Sequence, residues 1–211
     1  MTDHGTAFNA WCLFLEPTEG GLSLDPGDTG NYTPTGELKG SKFGISAHSY
    51  PDLDIANLTI EVANDLRYRD YWGKVRGDEL PGPVAFVLAE GAYGSGPVPA
   101  IKQMQRIIGT KDDGVFGTLT LDALNKRLAA KDGIEDFVVE YQAQRLLFEA
   151  SLGEKWEHNQ VGWSRRLFHA TARALFLAGA PVTVAVPTIA LAPELLMAEG
   201  TYTITVKRAA P

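Results

Sequence analysis

Phe8, Trp11 and Leu15 recur at helical spacing near the start of the chain, so residues 5–16 read as an amphipathic helix that buries one face. Glu19 falls four residues beyond Leu15, on the continuation of that face. Pro17 removes an amide and crowds the carbonyl four residues back, so a kink or tightening is expected there, and Gly20-Gly21 ends the helix. Residues 22–42 carry Gly, Pro, Asp, Asn and Thr at turn-forming density and read as a long loop. Loops of that length inside a compact domain tend to be functional or disordered. Order returns at "KFGISAHSYPDLDIANLT", where Thr59 is placed to cap a helix from Ile60 to about Trp72 with Val62, Ala63 and Leu66 facing inward.

Between Leu80 and Ile101 the only charged residue is Glu90, and Val84 to Ala89 is apolar on all sides, which predicts a buried helix. A lone carboxylate in such a helix must be hydrogen-bonded, paired or shifted in pKa. Ile101, Met104 and Ile108 form a further helical stripe, "DDGVFG" is a turn, and Thr118 or Thr120 starts a helix through Leu124 and Leu128. Residues 134–150 place Ile134, Phe137, Val138 and Tyr141 on one side of a long helix, and "GWSRRLFHATARALFLAG" is the last one. From Ala180 the pattern changes: "VTVAV" and "TYTITVK" are β-branched and alternating, as strands are. Two short strands make a weak hairpin alone, so this tail is expected to pair with the domain or with another chain. The fold class is therefore mainly α, with a short strand-like C-terminal tail.

Composition narrows the classes. The 211 residues suit one compact domain with a small appendage, and 45% apolar content gives a sizeable core. A net charge of −7 without a dense Lys/Arg cluster sets nucleic acid aside as a partner. The single cysteine, Cys12, cannot form an internal disulfide and reads as a small helix residue. "MTDHGTAFNAWC" has neither the basic nor the apolar region of a Sec signal peptide. Ala174 to Pro193 is uncharged and long enough to span a membrane, but Pro181, Pro187, Pro193 and Gly179 interrupt it, so no membrane partner is expected. His4, His48, His158 and His169 lack metal-ligand spacing, so neither metal nor cofactor is expected.

Glu19 is the candidate for chemistry, although a Glu before Gly-Gly at a helix end also reads, on spacing alone, as surface decoration. A carboxyl group at the mouth of a core-facing helix is partly desolvated, and the helix C-terminal dipole also disfavours its anion, so both effects favour the proton. A proton held near neutral pH is what a general acid in glycoside cleavage needs. Gly20 and Gly21 leave space for a bulky chain to approach. A second carboxylate is available from the loop as Asp25 or Asp28, or from Glu90.

"EGGLSLDPGDTGNYT", then "GELKGSKFGISAHSYPDLDIANLT", then "RYRDYW" resemble glycoside hydrolase family 108, phage and bacterial N-acetylmuramidases of which some are described as secretion activators. The similarity runs from about Phe8 to Arg166. It implies a lysozyme-like helical fold and hydrolysis of the β-1,4 bond between N-acetylmuramic acid and N-acetylglucosamine in peptidoglycan glycan strands. The catalytic glutamate of E-G-G corresponds to Glu19. "MQRIIGTKDDGVFGTLT" resembles the family's peptidoglycan-binding region, which makes Asp113 a candidate for substrate contact, although Asp113-Gly114 and Gly117 also have a purely conformational reading. The resemblance divides the chain into a catalytic region at 1–95, a peptidoglycan-binding-like helical region at 96–179, and a tail at 180–211 available for assembly. The usual F-D reads Ala89-Glu90 here, and the usual N-S-G-P reads "GSGP", with Gly94 in place of Asn and Ser95 retained. Tyr32 offers a sugar-stacking face and Lys42 a cation for muramic carboxylates, whereas Trp72 reads as core. The expectation is a wall-degrading enzyme carried in a phage virion tail, or held in the host cytoplasm before release to the periplasm. The alternative is a weakened enzyme serving as a wall-binding or structural module of a phage tail or secretion assembly, docked through residues 180–211.

Overall fold

The structure, a computed structural model, describes residues 5–16 and 21–179. The sequence readings at Pro17, Glu19 and Gly20, and the two C-terminal strands, lie outside these residues. The chain is mainly helical: α1 (Thr6–Leu15), β1 (Ser41–Lys42), β2 (Ile45–Ser46), α2 (Ile60–Arg67), α3 (Gly82–Ser95), α4 (Pro97–Ile107), α5 (Thr118–Leu128), α6 (Gly133–Ala150) and α7 (Glu154–Ala178).

The all-round apolar helix is the centre of the molecule. Every residue of α3 from Pro83 to Ala92 is buried, and α1, α4, α6 and α7 pack around it. Small residues let those helices come close: a β-carbon on Gly91 would collide with the hydroxyl of Tyr141 on α6. At Gly96 (φ +89°) the chain turns from α3 into α4, and Pro97 opens the new helix, where its missing amide is no loss. One hydrophobic cluster holds Phe8, Trp11 and Leu15 of α1, most of α3, Met104, Leu124, Phe137, Tyr141, Ala170 and Ala174. It therefore crosses residue 95 without a break. Large side chains buried this way contribute about 1.5–3 kcal/mol each.

A second, smaller cluster of Ile45, Ala47, Ile55, Leu58, Ala63 and Leu66 holds the segment after the first helix onto α2. The 22–42 stretch is long, as expected, but it is folded on itself. Ser23 pairs with Ser41 and Tyr32 with Leu38, while β1 and β2 form an antiparallel hairpin. The buried Asn31 organises it: its carbonyl accepts from the amides of Lys39 and Gly40, and its side-chain amide donates to the Asp25 carbonyl at 3.0 Å.

Three expectations are corrected. The regular helix capped by Thr59 stops at Arg67, because Tyr68–Trp72 form a wider turn closed by the Gly73 amide on the Tyr68 carbonyl, 2.7 Å. Val62 is 41% exposed. The inward stripe of α2 runs through Ala63, Leu66 and the charged Arg67 instead, and Val62 sits one 100° step away from it. The last helix starts at Glu154, eight residues before Gly162, through a largely exposed polar segment that carries no apolar stripe to announce it.

Candidate functional site

The end of α1 is fixed from two sides. On one, the Trp11 indole Nε1 donates to Glu90 Oε2 at 3.2 Å, and the ring stacks on Trp72 at 6.2 Å and meets Tyr93 edge-on at 5.8 Å. On the other, the Cys12 thiol contacts Arg67, and burial pushes that thiol up to about 11 against the lowering effect of the guanidinium. Arg67 is fully buried. It donates to the Asn64 side chain at 2.7 Å and to the Phe43 carbonyl at 2.7 Å, so one side chain ties α1 and α2 to the hairpin. α1 ends at Leu15 with Glu16 as its C-cap, and after Glu16 the described chain resumes at the exposed Gly21.

The carboxylates of the following loop are held but open. Asp25 Oδ1 accepts from the Gly27 amide at 2.8 Å, and Asp28 Oδ1 accepts from the Gly30 amide at 2.8 Å. Both residues are exposed. Each aspartate thus uses one oxygen to fix its own turn and presents the rest of the carboxylate to solvent. Tyr32 lies beside them, its hydroxyl donating to the Pro26 carbonyl at 3.3 Å. Lys42 is engaged within the fold: Nζ donates to the Ala56 carbonyl at 2.9 Å and lies 5.3 Å from the centre of the Phe43 ring.

Glu90 has the partners its burial demands. It is fully buried and accepts from Arg166 Nε at 2.6 Å, Arg166 Nη2 at 3.3 Å and Trp11. With three donors on two oxygens, it has the geometry of a bracing ion pair between α1, α3 and α7. The sequence demanded a partner here without identifying Arg166, which lies 76 residues away.

Ser95 and Asp113 fall in different places. The Ser95 hydroxyl donates to the Gly91 carbonyl at 2.9 Å and faces a hollow of about 250 Å³ whose lining also includes Gly94, Arg145, Glu149, Trp163 and Arg166. Asp113 folds a turn: Oδ1 accepts from the Val115 amide at 2.9 Å and from Gln105 Nε2 at 3.0 Å, which holds its carboxyl below the usual range. Buried Gln105 completes the turn by accepting from the Gly114 amide at 2.8 Å. The Gln, Asp-Gly and Thr of the motif in "MQRIIGTKDDGVFGTLT" therefore spell out one hydrogen-bonded corner, with Gly114 at φ +78°.

The aromatic run after α2 is core and brace. Trp72 is buried and donates to Asp78 at 2.8 Å, and Tyr68 also bonds to Asp78. The Tyr50 hydroxyl donates to Asp70 at 2.7 Å; Asp70, also bound by Arg69, is held below the ordinary carboxylate range. Among the described residues, no group of three or more His, Cys, Asp or Glu is placed to hold a metal ion, and no helix is long and apolar enough to cross a membrane.

Comparisons with known proteins agree with this architecture. The sequence model of Glycosyl hydrolase 108 matches residues 14–96, from the end of α1 through α3. No curated protein matches. Among solved structures, SagA of Brucella abortus is similar over 81% of this chain and 95% of its own, with a TM-score of 0.67 and 30% sequence identity. A relative of that identity, covered almost end to end, places the protein in a family of glycosidases: the chain belongs to glycosyl hydrolase family 108.

Proposed function

We propose that the protein is an N-acetylmuramidase that hydrolyses the β-1,4 bond between N-acetylmuramic acid and N-acetylglucosamine in peptidoglycan. Glu19 is the general acid that protonates the departing sugar oxygen. A loop aspartate, Asp25 or Asp28, assists the attacking water or stabilises the positive charge that develops on the sugar ring.

The observation that carries this reading is the setting into which Glu19 leads. The helix before it is pinned by Trp11–Glu90 and by Arg67. The loop after it presents two carboxylates, each anchored through one oxygen only. Glycoside hydrolysis needs one carboxyl that keeps its proton and one that stays ionised, and it needs both held still. Glu90 is assigned a bracing role instead, since its oxygens are taken up by Arg166 and Trp11 in the interior. Three variants test the reading on purified peptidoglycan. Glu19→Gln should lower the release of new reducing ends by about 10²–10⁴-fold with the fold intact. Asp25→Asn and Asp28→Asn should divide into one severe and one mild loss. Undiminished release from Glu19→Gln, or wild-type rates from both aspartate variants, contradicts the assignment.

A further inference from the structure

The hollow between α3, α6 and α7 lies outside the chemistry proposed for Glu19, and charged side chains of both signs, Arg145 and Glu149, line it. Arg145 on α6 is almost fully buried. Its Nη1 donates to Gln142 at 3.1 Å, while its Nη2 reaches Glu149 Oε1 only at 3.5 Å, the limit of a hydrogen bond. The other oxygen of that carboxylate, Oε2, is shielded from solvent and has no hydrogen-bond partner. A buried acceptor left open is costly, more so if charged, and such a group calls for an explanation. Gly94 leaves Arg145 approachable, since a β-carbon there would stand 3.3 Å from Nη2. The Ser95 hydroxyl gives its proton to Gly91, so its lone pairs remain to accept. Trp163, Phe148 and Leu152 supply the apolar wall.

We infer that this hollow binds a zwitterionic amino-acid end, an ammonium and a carboxylate carried on one carbon. The ammonium lies between the Glu149 carboxylate and Ser95 Oγ; the carboxylate lies on Arg145 Nη2. A simple anion would meet Glu149, and a simple cation would meet Arg145, whereas a group with both signs satisfies both sides. Burial pushes the Glu149 carboxyl above its usual range, and a bound ammonium would oppose that shift. The volume, about 250 Å³, is below the roughly 300–1,000 Å³ of sites for drug-sized ligands, so it suits one amino-acid end rather than a chain. Such a group is found at the free end of a diamino acid in an uncross-linked stem peptide of the wall. That choice of source rests on the muramidase reading.

The test is a titration of the full chain, ¹⁵N-labelled, following the Trp163 indole and Gly94 amide by NMR. The probes are L-Ala-γ-D-Glu-meso-diaminopimelate, free meso-diaminopimelate, cadaverine (amines only) and glutarate (carboxylates only). Both diaminopimelate probes should shift the two signals, and the single-sign probes should not. Glu149→Gln should weaken tripeptide binding about tenfold or more, since bonds to charged groups contribute about 1.5–3 kcal/mol. Gly94→Ala, which crowds Arg145 without touching Glu149, should weaken it too. No shift with either zwitterion, or an equal shift with glutarate, overturns the inference. A shift with free diaminopimelate but not with the tripeptide overturns the wall peptide as source. Wall clearance measured on the same preparation keeps the two readings apart. Clearance without binding sinks this inference alone, and binding without clearance sinks the muramidase reading alone.

Discussion

Removing Arg166 should damage the fold more than neutralising its partner, because the two ends of the pair are buried unequally. The Glu90 side chain is 0% exposed and that of Arg166 is 27% exposed. In Arg166→Met the carboxylate keeps, among the described residues, only the Trp11 indole at 3.2 Å and stays in the interior. Stranding a buried charge in this way costs about 3–5 kcal/mol. In Glu90→Gln the guanidinium can still reach water and the amide can still accept one bond, so the loss should be about 1–3 kcal/mol. Urea denaturation followed by the fluorescence of buried Trp11 and Trp72 measures both. With a slope of about 2–3 kcal/mol per molar urea, Arg166→Met should lower the midpoint by roughly 1–2 M.

A smaller loss for Arg166→Met than for Glu90→Gln would refute the reasoning. The double variant should recover part of the loss. Wild-type wall clearance by the folded double variant would agree with the bracing role given to Glu90.

Other outcomes follow from named contacts. Gln105→Leu should lose about 1–3 kcal/mol in urea denaturation, because it leaves the Gly114 amide without its acceptor; an unchanged midpoint would mean the corner folds without it. Cys12, with its thiol raised from 9.0 to about 11, should carry about 100-fold less thiolate at neutral pH than an ordinary cysteine. It should react with a thiol reagent only on unfolding, and rapid labelling of the native protein would contradict the burial. Asp70, depressed by Arg69 and Tyr50, contributes stability that is present above the unfolded aspartate pKa of about 3.9 and lost as pH falls below it. Asp70→Asn should flatten that acid-side fall, and a curve with the wild-type slope would argue against the contact.

What the sequence conveyed was periodicity and obligation. Phe8, Trp11 and Leu15 predicted α1, the apolar run from Val84 to Ala89 predicted the buried α3, and both are there. Glu90 announced that it needed a partner. Arg166 was hidden because such a partner is chosen in space, and an arginine on a half-exposed helix carries no local signal of pairing. Arg67 was hidden for the opposite reason: charge patterning directs it outward, yet it fills the junction of α1, α2 and the hairpin with neutral acceptors. Val62 misled because a small apolar residue beside a stripe looks like part of it. The widened turn at Tyr68–Trp72 depends on how the aromatic rings pack against Phe8 and Trp11, which no helical period encodes. At the candidate site, the turn residues around Asp25 and Asp28 were legible as local chemistry. The hollow beside Ser95 was not, since Arg145, Glu149 and Trp163 come from two other helices.

The most direct test of the central claim is the chemistry of the cut end. Purified peptidoglycan is digested with wild type and with Glu19→Gln, and the new reducing-end sugar is identified by mass spectrometry. Reducing-end N-acetylmuramic acid from the wild type, with none from a Glu19→Gln variant that unfolds at the same urea concentration, is the predicted result. Reducing-end N-acetylglucosamine, or equal products from both proteins, would contradict it.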